Sequence, residues 1–278
     1  MKSLIVKIII YLLSKLNRTN KRDILERIEY LISLANGKFR GSYNLDHEVK
    51  MVMKLFELQK VNREKEGRRE QEGQFIIDVG ANHGEYSQKI LNSYPNLNYI
   101  LFEPQEEIFK KVFKKFENQQ NFKIYNFGLF SENIKKNIYQ SGTKHGLATV
   151  YDRKHEINND LKYDFKKSNL IELKRFDKLE LKIDKIKLIK IDVEGAELEV
   201  LKGFGEYLKK TFLIQFEWGR AQLDSKNSFL EYYELLSKHG FEIYRIHPGG
   251  IKKIRKYSWY EEIYIASNFI CINKNLSN

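Results

Sequence analysis

The spacing of apolar residues changes twice along the chain. From Leu4 to Leu16, the run LIVKIIIYLLSKL puts Leu4, Ile5, Ile8, Ile9, Leu12, Leu13 and Leu16 on one helical face, with Ser3, Lys7, Ser14, Lys15 and Arg18 opposite. This pattern predicts a basic amphipathic helix over residues 1–22, too short and too charged for the roughly 20 apolar residues that a bilayer crossing needs. No small-residue cleavage site follows in LNRTNKRD, as a secretory signal would require. Such a helix either lies in the interface of an anionic membrane or packs on protein. A second helix is expected from Asp23 to Ala35, closed by Asn36-Gly37, and a third from about Asp46 to Arg63, with Val49, Val52, Met53, Phe56 and Leu58 on its apolar side. The charge-rich stretch REKEGRREQEGQ, residues 63–74, reads as a connector that ends a helical extension over 23–74.

Beyond residue 74, short apolar runs alternate with amphipathic stretches, as in βαβ units around a mainly parallel sheet. The expected strands are Phe75–Val79, Tyr99–Glu103, Phe122–Phe127, Leu188–Val193, Phe212–Glu217, Phe241–Ile246 and Asn268–Ile272. The connection of near 60 residues between the third and fourth is too long for a simple crossover. It holds two further strand candidates, Asn137–Tyr139 and Leu170–Leu173, and reads as an insertion over the carboxyl edge of the sheet, where open α/β sheets bind ligands. The expectation is one α/β domain over 75–278.

Composition narrows the compartment and the chemistry. The 278 residues are 42% hydrophobic and 31% charged, with 18 Phe and 17 Tyr to fill a large core. A single Cys271 excludes an internal disulfide and any cysteine-cluster zinc site, which points to a reducing, cytoplasmic setting. The 49 basic and 37 acidic residues give +12, and residues 1–74, with 16 basic and 10 acidic residues, carry half of that excess. The first 22 residues hold six basic side chains and no acid, which would suit the inner face of a membrane. Usage rich in Lys, Asn and Ile and poor in Pro suggests a bacterial source.

The chemistry concentrates in two segments. FIIDVGANHG, residues 75–84, is a strand ending in Asp78, then a tight turn with Gly80 and Gly84, then a helix. Its G-x-x-x-G spacing is not the G-x-G-x-x-G that brings a pyrophosphate to a helix start. Asp78 would repel a pyrophosphate and suits an ammonium or sulfonium. The second strand ends at Glu103, where a carboxylate can accept both hydroxyls of a ribose. An adenosine with a cationic, amino-acid-like tail is S-adenosylmethionine; helix capping is the alternative role for both acids. The second segment, IKIDVEGAELEVLKG over 189–203, supplies Asp192, Glu194 and Glu197 at a strand end, and Glu217 ends the next strand.

Together FIIDVGANHGEYS, LFEP and IKIDVEGAELEVLKG resemble the FkbM-type methyltransferase family over roughly residues 48–273. The resemblance implies a Rossmann-like class I methyltransferase sheet of seven strands with an antiparallel last strand, and O-methylation of sugars or polyketide-type hydroxyls. It assigns the cofactor to Asp78, Gly80, Ala81, Asn82, Gly84, Glu103 and Asp192, with Asn126 and Gly128 near the adenine. An acceptor role for His145, in the segment Thr143 to Leu147, is suggested by this sequence alone.

A sugar hydroxyl needs a base or a metal where it meets the methyl group. Asp192, Glu194 and Glu217 are the candidates for Mg²⁺; Glu194, Glu217 or His145 are the candidates for direct catalysis, and helix capping competes for Glu194 and Glu197. Trp218 is a candidate floor for an acceptor pocket. Amino-methylating DNA enzymes carry a [DNS]-P-P-[YF] element and cytosine C5 enzymes a Pro-Cys nucleophile; Pro95, Pro104, Pro248 and Cys271 form neither. The expected function is O-methylation in polysaccharide or glycolipid synthesis. RNA ribose methylation and a non-enzymatic, membrane-attached scaffold are the competing readings.

Overall fold

The computed structural model describes residues 2–17, 22–38, 44–65, 73–141, 144–152 and 165–277. Three helices come first: α1 (Lys2–Asn17), α2 (Arg22–Ala35) and α3 (Leu45–Lys65). The Asn36-Gly37 stop after α2 is a Schellman cap: Gly37 takes a left-handed φ of 69°, the Lys38 amide donates to the Ser33 carbonyl, and the Gly37 amide donates to the Leu34 carbonyl. Arg18, Lys21 and residues 66–72 of the expected connector lie outside the described residues, as do the side chains of Leu4, Ile5 and Leu16.

The main sheet is built from β1 (Gln74–Val79), β2 (Asn98–Phe102), β3 (Phe122–Tyr125), β8 (Lys185–Ile191), β9 (Thr211–Trp218), β10 (Phe241–His247), β11 (Gly250–Lys253) and β12 (Ser267–Asn273). Their spatial order is β11-β10-β12-β9-β8-β1-β2-β3. The pairs β3/β2, β2/β1, β1/β8 and β8/β9 are parallel, while β12 runs antiparallel to both β9 and β10. The seven expected strands are all present. An eighth, β11, forms a hairpin with β10.

Both faces of this sheet are covered, so its strands read as continuous apolar runs rather than alternating ones. Neighbouring residues divide between the two faces. Ile77, Ile189, Ile214 and Cys271 join the core beneath α6 (Glu197–Phe204) and α8 (Phe229–Lys238). Ile76, Leu188, Leu213 and Ile270 join the core on the other face, with residues of α4 (Glu85–Leu91) and α5 (Glu106–Phe116).

That second core also contains Val49, Val52, Leu55 and Phe56 of α3. The domain therefore starts before the boundary drawn at residue 74. The charged connector marks only a surface segment, because the helix ahead of it buries its apolar side on the sheet.

The insertion expected between the third and fourth strands is a second sheet, ordered β4-β7-β5-β6, from β4 (Gly128–Leu129), β5 (Ile134–Ser141), β6 (Lys144–Thr149) and β7 (Phe165–Lys174). Its own small core of Phe130, Ile138, Ile171 and Leu173 packs against Ala196 and Val193, just past the end of β8. The insertion thus sits at the carboxyl edge of the main sheet.

Candidate active site

The turn after β1 brings three strands into register. The amides of Gly80 and Ala81 both donate to the Phe102 carbonyl at the end of β2, and the Asp192 amide donates to the Val79 carbonyl. Gly80, at φ 78°, lies so close to β8 that a Cβ there would run into the Asp192 carbonyl oxygen. Gly84, at φ 68°, packs under α5, where a Cβ would meet the Phe116 ring at 2.6 Å and Val112 at 2.8 Å. Both glycines were expected to admit a ligand. Gly84 instead admits a helix, and Gly80 lines a cavity while admitting a strand.

Glu103 is buried at the end of β2. One carboxylate oxygen accepts from the Asn82 amide at 2.9 Å and the other from the Gln105 amide at 2.9 Å. Burial pushes its pKa up to about 7, against the pull of these amide donors. These bonds tie the turns after β1 and β2 together beside the cavity; the Gln105 side chain bonds to the same carboxylate, which keeps acceptor capacity for a further donor. Asn82 sits at a left-handed φ of 48°, and its buried Oδ1 has no hydrogen-bond partner.

Asp78 departs from its expected role. Its carboxylate is buried, accepts from the Ser87 hydroxyl at 2.6 Å, and does not line the cavity. Burial raises its pKa to about 6. Through the Ser87 hydroxyl it ties β1 to α4. Ala81 and Gly84 are also absent from the cavity wall. The Asn126 amide is spent on the Glu103 carbonyl at 3.0 Å and the Pro104 carbonyl at 3.3 Å, so Asn126 shapes the loop after β2 and lines a neighbouring cavity; Gly128 lines the main one.

The opposite wall comes from the turn after β8. That strand ends at Ile191, so Asp192 and Glu194 belong to the turn that follows it rather than to the strand end. Glu194 at φ 55° and Gly195 at φ 111° reverse the chain. Glu197 fixes the reversal: its buried carboxylate accepts from the amides of Val193 and Gly195 and from the Gln222 side chain at 2.7 Å. The role of Glu197 is thus to shape the turn that leads into α6. Thr149 of β6 donates to the Glu194 carbonyl at 2.7 Å and fastens the insertion to this turn.

Asp192 pairs with Lys190 at 3.0 Å. Burial opposes the charge on Lys190, but Asp192, Glu48 and Asp78 outweigh it and raise its pKa. Burial, then the charges of Asp192 and Glu194, push the Glu217 pKa well above the ordinary carboxylate range. Asp192 and Glu194 line the cavity with Gly80, Asn82 and Glu103, and Ile138, Ala148, Val150, Ile171 and Leu173 of the insertion supply an apolar wall; Glu217 does not reach it.

The expected Mg²⁺ site is not built. Among the described residues no three His, Cys, Asp or Glu side chains come together to hold a metal ion, and Asp192 already has a cationic partner. Trp218 is fully buried, donates to the Ile263 carbonyl at 3.1 Å and packs edge-on against Phe229 and Tyr232; it is core, not the floor of a pocket. His145 lies in β6 with its side chain outside the described residues, as is Thr143 entirely.

Sequence reading missed Ser87, Thr149, Lys190 and Gln222. Only Lys190 left a signal, as a lone charge inside the apolar run LIKI.

The strand order, the antiparallel β12 and the acids Glu103 and Asp192, each just past a strand and lining one cavity, define the Rossmann-like class I methyltransferase fold. Residues 78–243, more than half of the chain, match the family described as Methyltransferase FkbM domain, and the chain belongs to that family. It is 28% identical over 211 residues to AMB antimetabolite synthetase AmbE of Pseudomonas aeruginosa, covering 60% of this chain and 9% of that protein. It is 25% identical over 157 residues to 2-O-methyltransferase NoeI of Sinorhizobium fredii, covering 53% of this chain and 64% of that one. Methyltransferase 1 of Beauveria bassiana is 24% identical over 197 residues, covering 61% of this chain and 72% of its own length. The chain thus spans about a tenth of AmbE and roughly two thirds of the other two.

Proposed function

We propose that the chain is an S-adenosylmethionine-dependent O-methyltransferase whose acceptor is a hydroxyl, most simply that of a sugar in a glycan or glycolipid. One observation carries this reading: Gly80, Asn82 and Glu103 share a single cavity with Asp192 and Glu194, under an apolar wall from the insertion. The donor set fits the cofactor. Glu103 offers acceptor capacity for ribose hydroxyls, and the unpartnered Asn82 Oδ1 suits an ammonium. The relative named a 2-O-methyltransferase supports a hydroxyl acceptor.

S-adenosylmethionine, when bound, supplies a methyl group on a sulfonium. The chain's residues orient the partners and exclude water, and alignment of this kind is worth roughly 7–11 kcal/mol. The acceptor proton passes to Glu194, a cavity-lining carboxylate set on a rigid turn by Thr149 and Glu197. Burial and the adjacent charges of Asp192 and Glu194 raise the Glu217 pKa and so disfavour a third negative charge beside the turn.

Calorimetric titration with S-adenosylhomocysteine tests the cofactor half. Glu103→Ala is expected to weaken binding by about 1.5–3 kcal/mol. Glu194→Gln is expected to leave that affinity unchanged and to lower methyl transfer to a glycan acceptor by about 10²–10⁴-fold. Absence of binding to the unaltered protein would overturn the reading.

A further inference from the structure

Among the described residues, two neighbouring surfaces beside the main sheet keep large apolar side chains exposed. On α1, Ile8, Ile9, Leu12 and Leu13 form one stripe and remain 40–56% exposed. On α2, Ile24, Ile28, Leu31 and Ile32 form another and remain 42–60% exposed, while Glu26 and Glu29 fall on the opposite side of the helix. Lone exposed apolar residues are ordinary, but two helical stripes of them are not.

The second surface lies at the far edge of the main sheet. Trp259 and Tyr260 stack at 3.8 Å between ring centres and are 69% and 60% exposed, Trp259 being the most exposed large hydrophobic side chain among the described residues. Lys252, Arg255 and Lys256 are exposed in the same hairpin region. The nearby acids are committed elsewhere. Glu261 pairs with Arg245 at 2.6 Å, Glu262 accepts from the first amides of α8, and Glu242 takes Lys253 at 2.6 Å. Among the described residues none of Lys252, Arg255 and Lys256 has an acidic partner.

These surfaces meet. The cap of α2 abuts the β10–β11 hairpin, because Gly37 lies against the backbone of Ile246 and His247. Lys38 then donates to the Tyr260 carbonyl at 3.3 Å. The end of one apolar stripe is therefore fixed beside the aromatic pair and the basic cluster.

We propose that α1, α2 and the Lys252–Tyr260 edge together form a docking surface for an anionic lipid bilayer. The chemistry matches on each count. Apolar helical faces enter the acyl boundary, Trp and Tyr sit at the headgroup level, and unpaired Lys and Arg meet anionic headgroups. Six basic residues and no acid in positions 1–22 add to the same charge. A polyanion such as RNA would use the basic cluster but has no use for the aliphatic stripes. A second copy of the chain would use the stripes but would bring like charges together. The surface is separate from the cavity, so its failure leaves the methyl-transfer reading untouched.

The test is flotation of the full chain with phosphatidylcholine vesicles, with and without about one third phosphatidylglycerol. Expected are flotation with the anionic vesicles only and its loss in high salt. Neutralising Lys252, Arg255 and Lys256 to Gln together is expected to lower partitioning on the order of 100-fold. Leu12→Glu with Leu31→Glu is expected to abolish it. All variants alter exposed side chains, and unchanged affinity for S-adenosylhomocysteine shows that each is folded.

Of the two tryptophans, Trp218 is buried and Trp259 exposed, so a blue shift of emission on adding vesicles reports Trp259 entering the interface. Three results would overturn the proposal. One is no flotation with anionic vesicles. Another is binding that follows the basic residues but ignores the apolar ones, which marks a polyanion. The third is a dimer in sedimentation that Leu31→Glu dissociates while vesicles go unbound.

Discussion

Gly80 shows how one position serves the backbone and the cavity at once. Its left-handed φ and its contact with the Asp192 carbonyl leave no room for a Cβ, so Gly80→Ala must open the β1–β8 seam or strain the turn. A loss of about 1–3 kcal/mol in denaturant unfolding is expected, together with weaker cofactor binding, because the same turn carries the Asn82 amide to Glu103. Glu103 adds a pH signature. With a pKa near 7 it is ionised only above neutrality. Affinity for S-adenosylhomocysteine is expected to rise with pH through about 7 and then level off; a Glu103→Gln variant that kept the same rise would remove Glu103 as its cause. These roles were partly legible in the sequence. An acid at the end of the second strand and glycine in the first turn were visible, but the burial that shifts Glu103 and diverts Asp78 to Ser87 depends on residues from other elements.

At the scale of elements, α3 departs furthest from the sequence reading. Its charged C-terminal neighbourhood, residues 63–74, looks like a domain boundary, yet Phe56 is buried against the sheet and meets Tyr94 edge-on at 5.3 Å. Lys187 of β8 reaches across to Gln59 at 2.9 Å, and Gln59 in turn donates to the Leu276 carbonyl at 2.7 Å. Glu48 accepts from Gln215 at 2.6 Å and Asn268 at 3.0 Å. The helix therefore joins the two ends of the domain. Phe56→Ala is expected to cost about 3–5 kcal/mol, read by denaturant unfolding. Removal of residues 1–35, whose described side chains are largely exposed, is expected to cost far less. Similar losses from both changes would contradict this division. Strand positions were readable from apolar runs because both faces of the sheet are covered, whereas the partner of α3 was not, since an amphipathic stripe does not name the surface that it meets.

For the whole molecule, two buried carboxyls set a pH dependence of stability. Asp78 rises from 3.8 to about 6 and Glu103 from 4.5 to about 7, both chiefly through burial. A raised carboxyl pKa means that the folded state binds the proton more tightly than the unfolded chain. The associated stability is therefore complete below the unfolded values and is lost as pH climbs through about 6–7. For Asp78 alone the difference amounts to about 3 kcal/mol. Denaturant unfolding at a series of pH values is expected to show stability falling between pH 4 and 7 from these groups, and Asp78→Asn, which keeps an acceptor for Ser87, is expected to flatten that fall. An unchanged slope would show that Asp78 is ionised in the fold at much lower pH.

By itself the sequence determined the kinds of elements and their order: the apolar runs, the acid-ended strands, the glycine turns and the long third connection follow from local patterning, which needs no distant partner to be read. It also determined the family, because the segments DVGANHG and DVEGAE are contiguous. Tertiary structure alone decided what each carboxylate does. Asp78 is tied to Ser87 of α4, Glu197 holds the turn after β8, burial pushes the Glu217 pKa well above the ordinary carboxylate range, Asp192 pairs with Lys190, and Glu103 and Glu194 line the cavity. A carboxylate's charge state and partners depend on burial and on donors brought from elsewhere in the chain, and neither is fixed until the strands have packed.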